Sequence, residues 1–299
     1  MAPPVIGFIG FGEAGSRMAK GLREAGVAEI FAYDIAAGVP GAGARIRSRA
    51  AESAVPLVDS NAALAERCSI LFSVVTAASA LDAARQSQPY LQHGQVYVDC
   101  NSVSPATKRE IESVIRASPA SFVEAAILAP VPKRRGQGVP MLTTGEAAAA
   151  LAERLTVIGF SMQPLAGPCG TAAAVKMCRS IVVKGLEALL TECVLAASRF
   201  GAEERVFASL EQSYPGIEWK RLADYMVNRL TVHGERRARE MEEVAQTLRS
   251  AGIDPIMAEA AALRQQWAAD LHLASYFSSD GPASYRDVLQ VIAALEAKV

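Results

Sequence analysis

The sequence has few of the residues that build metal sites, disulfide scaffolds or membrane anchors. Its 299 residues include three histidines and five cysteines, with no CxxC or HxxxH spacing. We therefore expect no zinc or other metal site, and we expect the cysteines to be reduced thiols. No uninterrupted apolar run approaches the length that spans a bilayer. The opening Met1-Ala-Pro-Pro4 lacks the basic segment of a signal peptide, so we expect a cytoplasmic protein.

The chain also lacks an excess of either charge. It carries 30 basic and 31 acidic residues, so no overall field attracts nucleic acid or an anionic membrane, and neither is expected as a partner. Apolar residues make up 51% of the chain and charged residues 20%, which is typical of a globular enzyme with a sizeable core. The length allows one large domain or two ordinary ones.

What the chain does have is a glycine motif at its beginning. A short apolar run from Val5 ends at Gly10, and Gly12 and Gly15 follow at the start of an amphipathic helical pattern. In such a strand–turn–helix unit the first glycine allows the sharp turn, the second lets a pyrophosphate approach the backbone, and the third lets the helix pack closely. The helix N-terminus then offers free N–H groups to the phosphates.

A second apolar run ends in Asp34, at the distance where a carboxylate accepts hydrogen bonds from the adenine ribose of a dinucleotide. This favours NAD, because a carboxylate repels the 2′-phosphate of NADP. Arg45, Arg47 and Arg49, in the Gly/Ala-rich connection after Asp34, are either solvated charges or contacts to the adenosine, so NADP stays possible. The predicted dinucleotide-binding residues are Gly10, Phe11, Gly12, Glu13, Ala14, Gly15, Asp34, Val75 and Thr76.

Short β-rich runs alternate with helical stretches as far as Pro164, which predicts a doubly wound parallel sheet of Rossmann type. The expected later strands lie at 56–58, 70–75, 96–99, 122–127, 141–144 and 157–164. From Thr171 onward the pattern is helical, broken at Gly201, 214–216, 252–255 and 280–282. We therefore predict a dinucleotide-binding domain over 1–166 and an all-helical domain over 167–299, joined by a long helix from about Thr171 to Phe200. The cleft between two such domains is a natural place for a small substrate.

Lys176 is the candidate catalytic residue. It lies on the first turns of the long helix, directly after the glycine-containing loop Gly167-Pro-Cys-Gly170, among small and apolar neighbours. Partial desolvation would lower the pKa of its amine, so that the amine could exchange a proton with a substrate hydroxyl. The alternative is an ordinary helix lysine that extends to water.

Three further groups of residues are candidates for substrate binding. Asn101 and Ser102 follow a predicted sheet strand, at the edge where ligands bind, although this turn also suits a plain cap for the helix that begins at Ser104-Pro105. Ser180 shares the helix face of Lys176. His233 and Arg237 belong to a basic cluster that either grips a carboxylate or phosphate or forms an ion-paired solvent face.

Taken together, these segments resemble the β-hydroxyacid dehydrogenases, the family of 3-hydroxyisobutyrate dehydrogenase and 6-phosphogluconate dehydrogenase. The segment Gly10 to Ala19 resembles the family's GxGxMGxxMA, Asp99 to Pro105 its substrate motif DxSTxxP, and Gly167 to Lys176 its catalytic segment. The resemblance implies a lysine general acid/base and a motif that binds the substrate carboxylate. The region from Lys176 to Ala188 and that from His233 to Met241 resemble the C-terminal domain of unknown function of 6-phosphogluconate dehydrogenase-like proteins.

The sequence also departs from the family pattern. Asn101 replaces the motif serine, Ser102 its threonine, and Ser180 the asparagine one turn after the lysine. Leu128-Ala-Pro130 replaces a Ser-Gly-Gly loop, and Arg239-Glu-Met241 is a weak counterpart of a Lys-Asp-Leu segment. Cofactor binding and lysine-assisted hydride transfer carry over better than substrate identity.

The sequence therefore predicts an NAD(P)-dependent oxidoreductase that acts on a small, acidic hydroxy or oxo substrate, with Lys176 as the general acid/base. The alternatives are an imine reductase-like enzyme, although such enzymes usually lack the lysine, and a catalytically inactive module that senses a dinucleotide. The long apolar helix predicts a homodimer that buries helices between subunits.

Overall fold

A computed structural model describes residues 4–129, 139–278 and 281–297 of the chain. The chain divides into two compact units, Met1–Lys176 and Met177–Val299. The sequence places the domain boundary at 166/167, in the loop before the long helix, whereas the compact units divide ten residues later, inside that helix.

The described residues of the first unit form a seven-stranded sheet in the order β2-β1-β3-β4-β5-β6-β7. The strands are β1 Ile6–Ile9, β2 Ile30–Tyr33, β3 Ile70–Ser73, β4 Val96–Asp99, β5 Ser121–Ile127, β6 Val139–Thr144 and β7 Phe160–Pro164. The predicted Rossmann-type fold is confirmed, but the sheet is not parallel throughout, since β5 and β6 pair antiparallel. Among the described residues no helix separates these two strands, and a parallel connection needs such a crossover.

Helices cover both faces of the sheet. They are α1 Glu13–Glu24, α2 Ala42–Glu52, α3 Asn61–Arg67, α4 Ala80–Ser87, α5 Pro105–Arg116 and α6 Ala148–Thr156. One face buries the stacked rings of Phe8, Phe72 and Phe160, with successive centroids 5.6 and 5.3 Å apart. The other face buries Leu71 and Tyr97. Because consecutive strand residues point to opposite faces, a strand buried on both sides is expected to be mostly apolar along its length.

Three local predictions need correction. The connection after Asp34 contains a 3-10 turn and helix α2, which its glycines concealed. The predicted strand at 56–58 is reduced to a single bridge between Ala32 and Leu57. The last strand begins at Phe160 and not at 157, because Gly159, at φ +95°, completes a turn before it.

The second unit is helical, as the sequence predicts. Helix α7, Thr171–Arg199, begins in the first unit and continues into the second, and α8 Glu203–Ser213, α9 Trp219–Ser250, α10 Ile256–Asp270 and α11 Tyr285–Glu296 follow. Helix α9 is kinked at His233, where φ is −126° and ψ is 16°. A Cβ atom at the next residue, Gly234, would lie 2.7 Å from the Gln265 carbonyl oxygen, so this glycine permits the close approach of α10. No helix in the described part of the chain is both long and apolar enough to cross a membrane.

Candidate functional site

The predicted dinucleotide-binding residues lie at one edge of the sheet. Strands β1, β2 and β3 are parallel, and Gly10, Asp34 and the pair Val75-Thr76 follow their carboxyl ends. Ligands of open α/β sheets bind outside this edge. The sheet therefore brings together residues that are far apart in the sequence.

The three glycines of the motif have three different surroundings. Gly10 has φ +87°, and a Cβ atom there would lie 2.6 Å from the Val74 carbonyl oxygen. A Cβ atom at Gly15 would lie 2.7 Å from the Gly10 carbonyl oxygen, whereas one at Gly12 would meet no atom within 4 Å. The turn itself therefore requires glycine at positions 10 and 15. Gly12 instead leaves open space beside the start of α1. This arrangement fits a dinucleotide whose pyrophosphate approaches the backbone.

The N-terminus of α1 is suited to an anion. Gly12 is the N-cap residue, and no side chain caps the helix there. The first N–H groups of a helix, here those of Glu13, Ala14 and Gly15, have no acceptor within the helix, and they lie at the positive end of its dipole. The carboxylate of Glu13 forms an ion pair at 2.6 Å with Arg17, one turn further along the same helix.

Asp34 has a contact that sequence reasoning missed. Its Oδ2 accepts a hydrogen bond from the Phe11 N–H at 2.7 Å, and its Oδ1 accepts one from the Ala36 N–H at 2.9 Å. The carboxylate therefore ties the end of β2 to the glycine turn, and the side chain is only partly buried. Arg47 of α2 donates to the Ala37 carbonyl oxygen, close in sequence to Asp34.

Asn101 is buried and braces two strand ends. Its Oδ1 accepts from the Val75 N–H at 2.7 Å, and its Nδ2 donates to Ser73 Oγ at 2.9 Å and to the Asp99 carboxylate. The side chain predicted to orient substrate thus joins the turns after β3 and β4. Its neighbour Cys100 is also buried, and burial raises the pKa of that thiol to about 12, which makes it a poor nucleophile.

Below this turn lies a buried ion pair that the sequence analysis did not single out. Lys108 Nζ donates to Asp99 Oδ2 at 2.7 Å and to the Asp99 carbonyl oxygen at 2.8 Å. Both side chains are at most 1% exposed. A buried charge is tolerated only when it is paired and hydrogen-bonded. The signal in the sequence was Asp99 at the end of an otherwise apolar strand, since a carboxylate buried there needs a cation nearby.

Lys176 and Ser102 are brought together although 74 residues separate them. The half-buried Lys176, six residues into α7, donates a hydrogen bond from Nζ to Ser102 Oγ. The two residues predicted separately, one for proton transfer and one for substrate binding, therefore form one polar contact. Leu128 and Ala129 of the altered loop are described, whereas Pro130 lies outside the described residues.

A second residue that the sequence analysis missed is Glu124 of β5. Its side chain is fully buried, and it accepts hydrogen bonds from Thr144 Oγ1 at 2.5 Å, from the Gly170 N–H at 2.8 Å and from the Ala173 N–H at 2.7 Å. Glu124 thus binds the first turn of the helix that carries Lys176. An acidic residue in an otherwise apolar strand was the signal for it.

The remaining predicted residues lie in the second unit. Ser180 is buried and accepts from Lys184 Nζ at 3.1 Å, and Lys184 pairs with Glu240 Oε2 at 3.0 Å. Arg237 is buried and pairs with Glu187 Oε1 at 3.0 Å. His233 lies at the kink of α9. The neighbours of Arg237 fit the second alternative for this basic cluster, an ion-paired solvent face. The exposed Arg236 pairs with Glu240, and the exposed Arg239 pairs with Glu242.

Burial perturbs the charges of this second cluster. It raises the pKa of Glu187 to about 7, against the opposing effect of Arg237. It also lowers the pKa of Lys184 and that of Arg237. Desolvation therefore outweighs pairing at each of these groups.

Comparison with known proteins agrees with the geometry. The family described as the NAD binding domain of 6-phosphogluconate dehydrogenase matches residues 5–158, more than half of the chain. A domain of unknown function, DUF1932, matches residues 197–268.

Relatives resemble the chain over most of its length. A conserved hypothetical protein from Sinorhizobium meliloti is 37% identical, with a TM-score of 0.73, over 97% of this chain and 95% of that one. A conserved protein of unknown function, described as structurally similar to 3-hydroxyacid dehydrogenases, is 32% identical, with a TM-score of 0.69, over 89% and 96% of the two chains.

Human mitochondrial 3-hydroxyisobutyrate dehydrogenase is 24% identical over 220 residues, which are 72% of this chain and 63% of the human protein. The match thus spans less than two thirds of that enzyme. The resemblance that the sequence motifs indicate is confirmed, and so is the cofactor class, a nicotinamide dinucleotide. The chain belongs to the β-hydroxyacid dehydrogenase family, with the NAD binding domain of 6-phosphogluconate dehydrogenase over residues 5–158.

Proposed function

We propose that this protein is an NAD(P)-dependent oxidoreductase that interconverts the hydroxy and oxo forms of a small acidic substrate, with Lys176 as the general acid/base. The observation that carries the proposal is the hydrogen bond from Lys176 Nζ to Ser102 Oγ. It places an amine beside the turn after β4, at the sheet edge to which the glycine motif also belongs.

A nicotinamide dinucleotide held at the glycine turn and Asp34 would supply the acceptor or donor of the hydride that the reaction requires. In the oxidation direction the neutral amine of Lys176 takes the proton of the substrate hydroxyl as the carbon–oxygen double bond forms, and in reduction the ammonium returns it. Ser102 orients the substrate oxygen, and Asn101 holds the turn that presents Ser102.

An acidic substrate is favoured by the positive character of these groups. The ammonium form of Lys176 favours a carboxylate. Ser180, one helical turn after Lys176, accepts from Lys184, and its hydroxyl would donate to a substrate oxygen. His233 and Arg237 stay predicted contributors to substrate binding.

NAD is the favoured cofactor because Asp34 follows β2. Its carboxylate, already fixed by two backbone N–H groups, would repel a 2′-phosphate. Titration of the protein's fluorescence with NADH and with NADPH tests this preference, and a lower dissociation constant for NADPH would contradict it.

The decisive test is the substitution Lys176→Ala, with Lys20→Ala, an exposed lysine of α1, as the matched control. A panel of small hydroxy acids that includes 3-hydroxyisobutyrate is assayed by cofactor absorbance. We expect Lys176→Ala to lower kcat about 10²–10⁴-fold without weakening NADH binding. Near-normal turnover of Lys176→Ala would refute the role of the lysine.

The same assay separates the alternatives. A protein that binds NADH but reduces or oxidises nothing in the panel is a sensing module. Turnover of cyclic imines, with none of hydroxy acids, identifies an imine reductase.

We also propose that the protein is a homodimer that buries α7. Val182 and Leu189, one heptad apart on this helix, are 63% and 54% exposed, and Phe200 at its end is 85% exposed. Large apolar side chains in such a row are typical of a buried interface. Sedimentation equilibrium of the wild type and of Leu189→Glu tests this, and a wild-type monomer at micromolar concentration would contradict it.

A further inference from the structure

We propose that Glu124 is a positioning residue for Lys176: it fixes the first turn of α7 and thereby holds the lysine amine against Ser102. This inference rests on the proposed function only for its kinetic consequence. The placement of Lys176 can be tested without a substrate.

Glu124 satisfies the backbone donors with which α7 begins. The carbonyl of Gly170 accepts from the Ala174 N–H at 2.8 Å, which makes Gly170 the N-cap residue and Ala173 the third residue of the helix. The Glu124 carboxylate binds the N–H groups of Gly170 and Ala173. In a capping box, side chains of the helix itself bind the N–H groups at these two positions. Here a carboxylate from the neighbouring sheet replaces both.

The carboxylate is well placed by charge as well as by hydrogen bonding. It lies at the positive end of a helix of 29 residues, and Thr144 Oγ1 donates to it from β6. Three donors thus hold this fully buried carboxylate. Its removal would leave two buried N–H groups unsatisfied at the start of α7.

The start of α7 has little room to rearrange in another way. Gly170 has φ +99°, and a Cβ atom there would lie 3.1 Å from Pro105 and from Arg109 Nη1 of α5. The helix therefore begins against the helix that follows the Asn101–Ser102 turn. Lys176 is three residues beyond Ala173, so a shift or unwinding of the first turn moves the amine relative to Ser102.

The register of the sheet places the Glu124 carboxylate beside Asp99, which holds the turn that carries Ser102. Asp99 of β4 is paired with Glu124 of β5, and both side chains are fully buried. Asp99 binds Asn101 and Lys108 and so holds the turn that presents Ser102, whereas Glu124 holds the helix that presents Lys176. Two adjacent carboxylates thus determine the relative position of an amine and a hydroxyl from chain segments 74 residues apart.

The test is Glu124→Gln, which keeps the size of the side chain but turns one acceptor into a donor that faces backbone N–H groups. Without any substrate, the acylation rate of Lys176 by a neutral N-hydroxysuccinimide ester is measured by mass spectrometry. We expect a rise of about threefold or more, because an amine released from Ser102 is more accessible. Asp82→Asn, an exposed carboxylate of the same unit, is the matched control and should leave the rate unchanged.

With an active substrate, Glu124→Gln should lower kcat about 10–100-fold, change KM and the NADH dissociation constant less than about twofold, and move the pH profile of kcat. In the Lys176→Ala background it should cause little further loss. A purely structural role would lower stability and leave the labelling rate and pH profile of the folded fraction as in the wild type, which would overturn the proposal.

Thr144→Val provides a second variant if Glu124→Gln does not fold. It removes one of the three donors and keeps the carboxylate, so the same changes should appear at smaller size. An unchanged Lys176 labelling rate in this variant would count against the proposal. The two proposals fail separately: an active Lys176→Ala refutes the catalytic role, whereas unaltered labelling in Glu124→Gln refutes the positioning role alone.

Discussion

The two units both bury charged side chains, but they satisfy them differently. In the first unit Asp99 and Glu124 each accept several hydrogen bonds, and Lys108 neutralises Asp99. In the second unit Lys184 pairs with Glu240 and Arg237 with Glu187, but Arg237 Nε and the Oε1 atom of Gln265, whose Nε2 contacts Glu187, have no hydrogen-bond partner among the described residues.

The difference teaches which buried charges fix geometry. A saturated carboxylate holds its donors in one arrangement, because any movement leaves a buried group unpaired. In the second unit burial instead raises the pKa of Glu187 and lowers the pKa of Lys184 and that of Arg237. We therefore expect geometric control in the first unit and sensitivity to pH in the second.

The largest expected effect is that of Lys108→Met. It leaves the fully buried Asp99 without its cation, which should cost about 3–5 kcal/mol of the first unit's stability. Hydrogen exchange of β4 and α5, with Lys20→Met as the exposed control, measures this cost. A loss of stability below about 1 kcal/mol would show that Asp99 can stay buried without its cation. The two units would then not differ in how they satisfy buried charges.

Arg237→Met should cost less, about 1–3 kcal/mol near pH 8, because Glu187 can take up a proton when its cation is lost. The cost should shrink toward pH 6. Hydrogen exchange of α9 measures it, and Arg239→Met, exposed on the same helix, serves as the control. A cost that does not change with pH would contradict the assignment of the proton to Glu187.

Glu187 should also make the second unit less stable as the pH rises. Its pKa of about 7 in the fold exceeds its ordinary value, so its contribution is complete below about pH 4.5 and is lost as the pH passes through about 7. The groups that face it are Arg237, Arg229, Lys184, Glu240 and Gln265. Glu187→Gln should remove a decline on the order of 1–3 kcal/mol between about pH 5 and pH 8. Parallel stability curves for the two proteins would be the opposing result.

The smallest effects come from a matched pair of threonines. Thr144→Val removes a donor to Glu124 and should cost about 1–2 kcal/mol. Thr231→Val replaces a buried hydroxyl that has no hydrogen-bond partner, so its cost should be near zero or slightly negative. Thermal unfolding of the two variants compares them directly, and equal costs would mean that the two units do not differ in this respect.

Much of the fold could be predicted from sequence because its signals are local. The glycine spacing, the short apolar runs and the later helical periodicity each concern a few turns of chain. The direction of β6 was not predictable in this way, since it depends on the segment between two strands and not on the strands themselves. Helix α2 was missed because its glycine-rich entry is typical of a loop.

The sequence by itself determined that a dinucleotide-binding turn lies in the amino-terminal part and that the second half is helical, and it named Lys176 and Ser102 as candidate site residues. Only the tertiary structure decided that these two side chains meet and that Glu124 caps the helix of the lysine. It also decided that Arg237 is buried against Glu187. The physical reason is that local patterns specify backbone geometry and the face that is buried, whereas partners of buried charges are chosen by strand order and register.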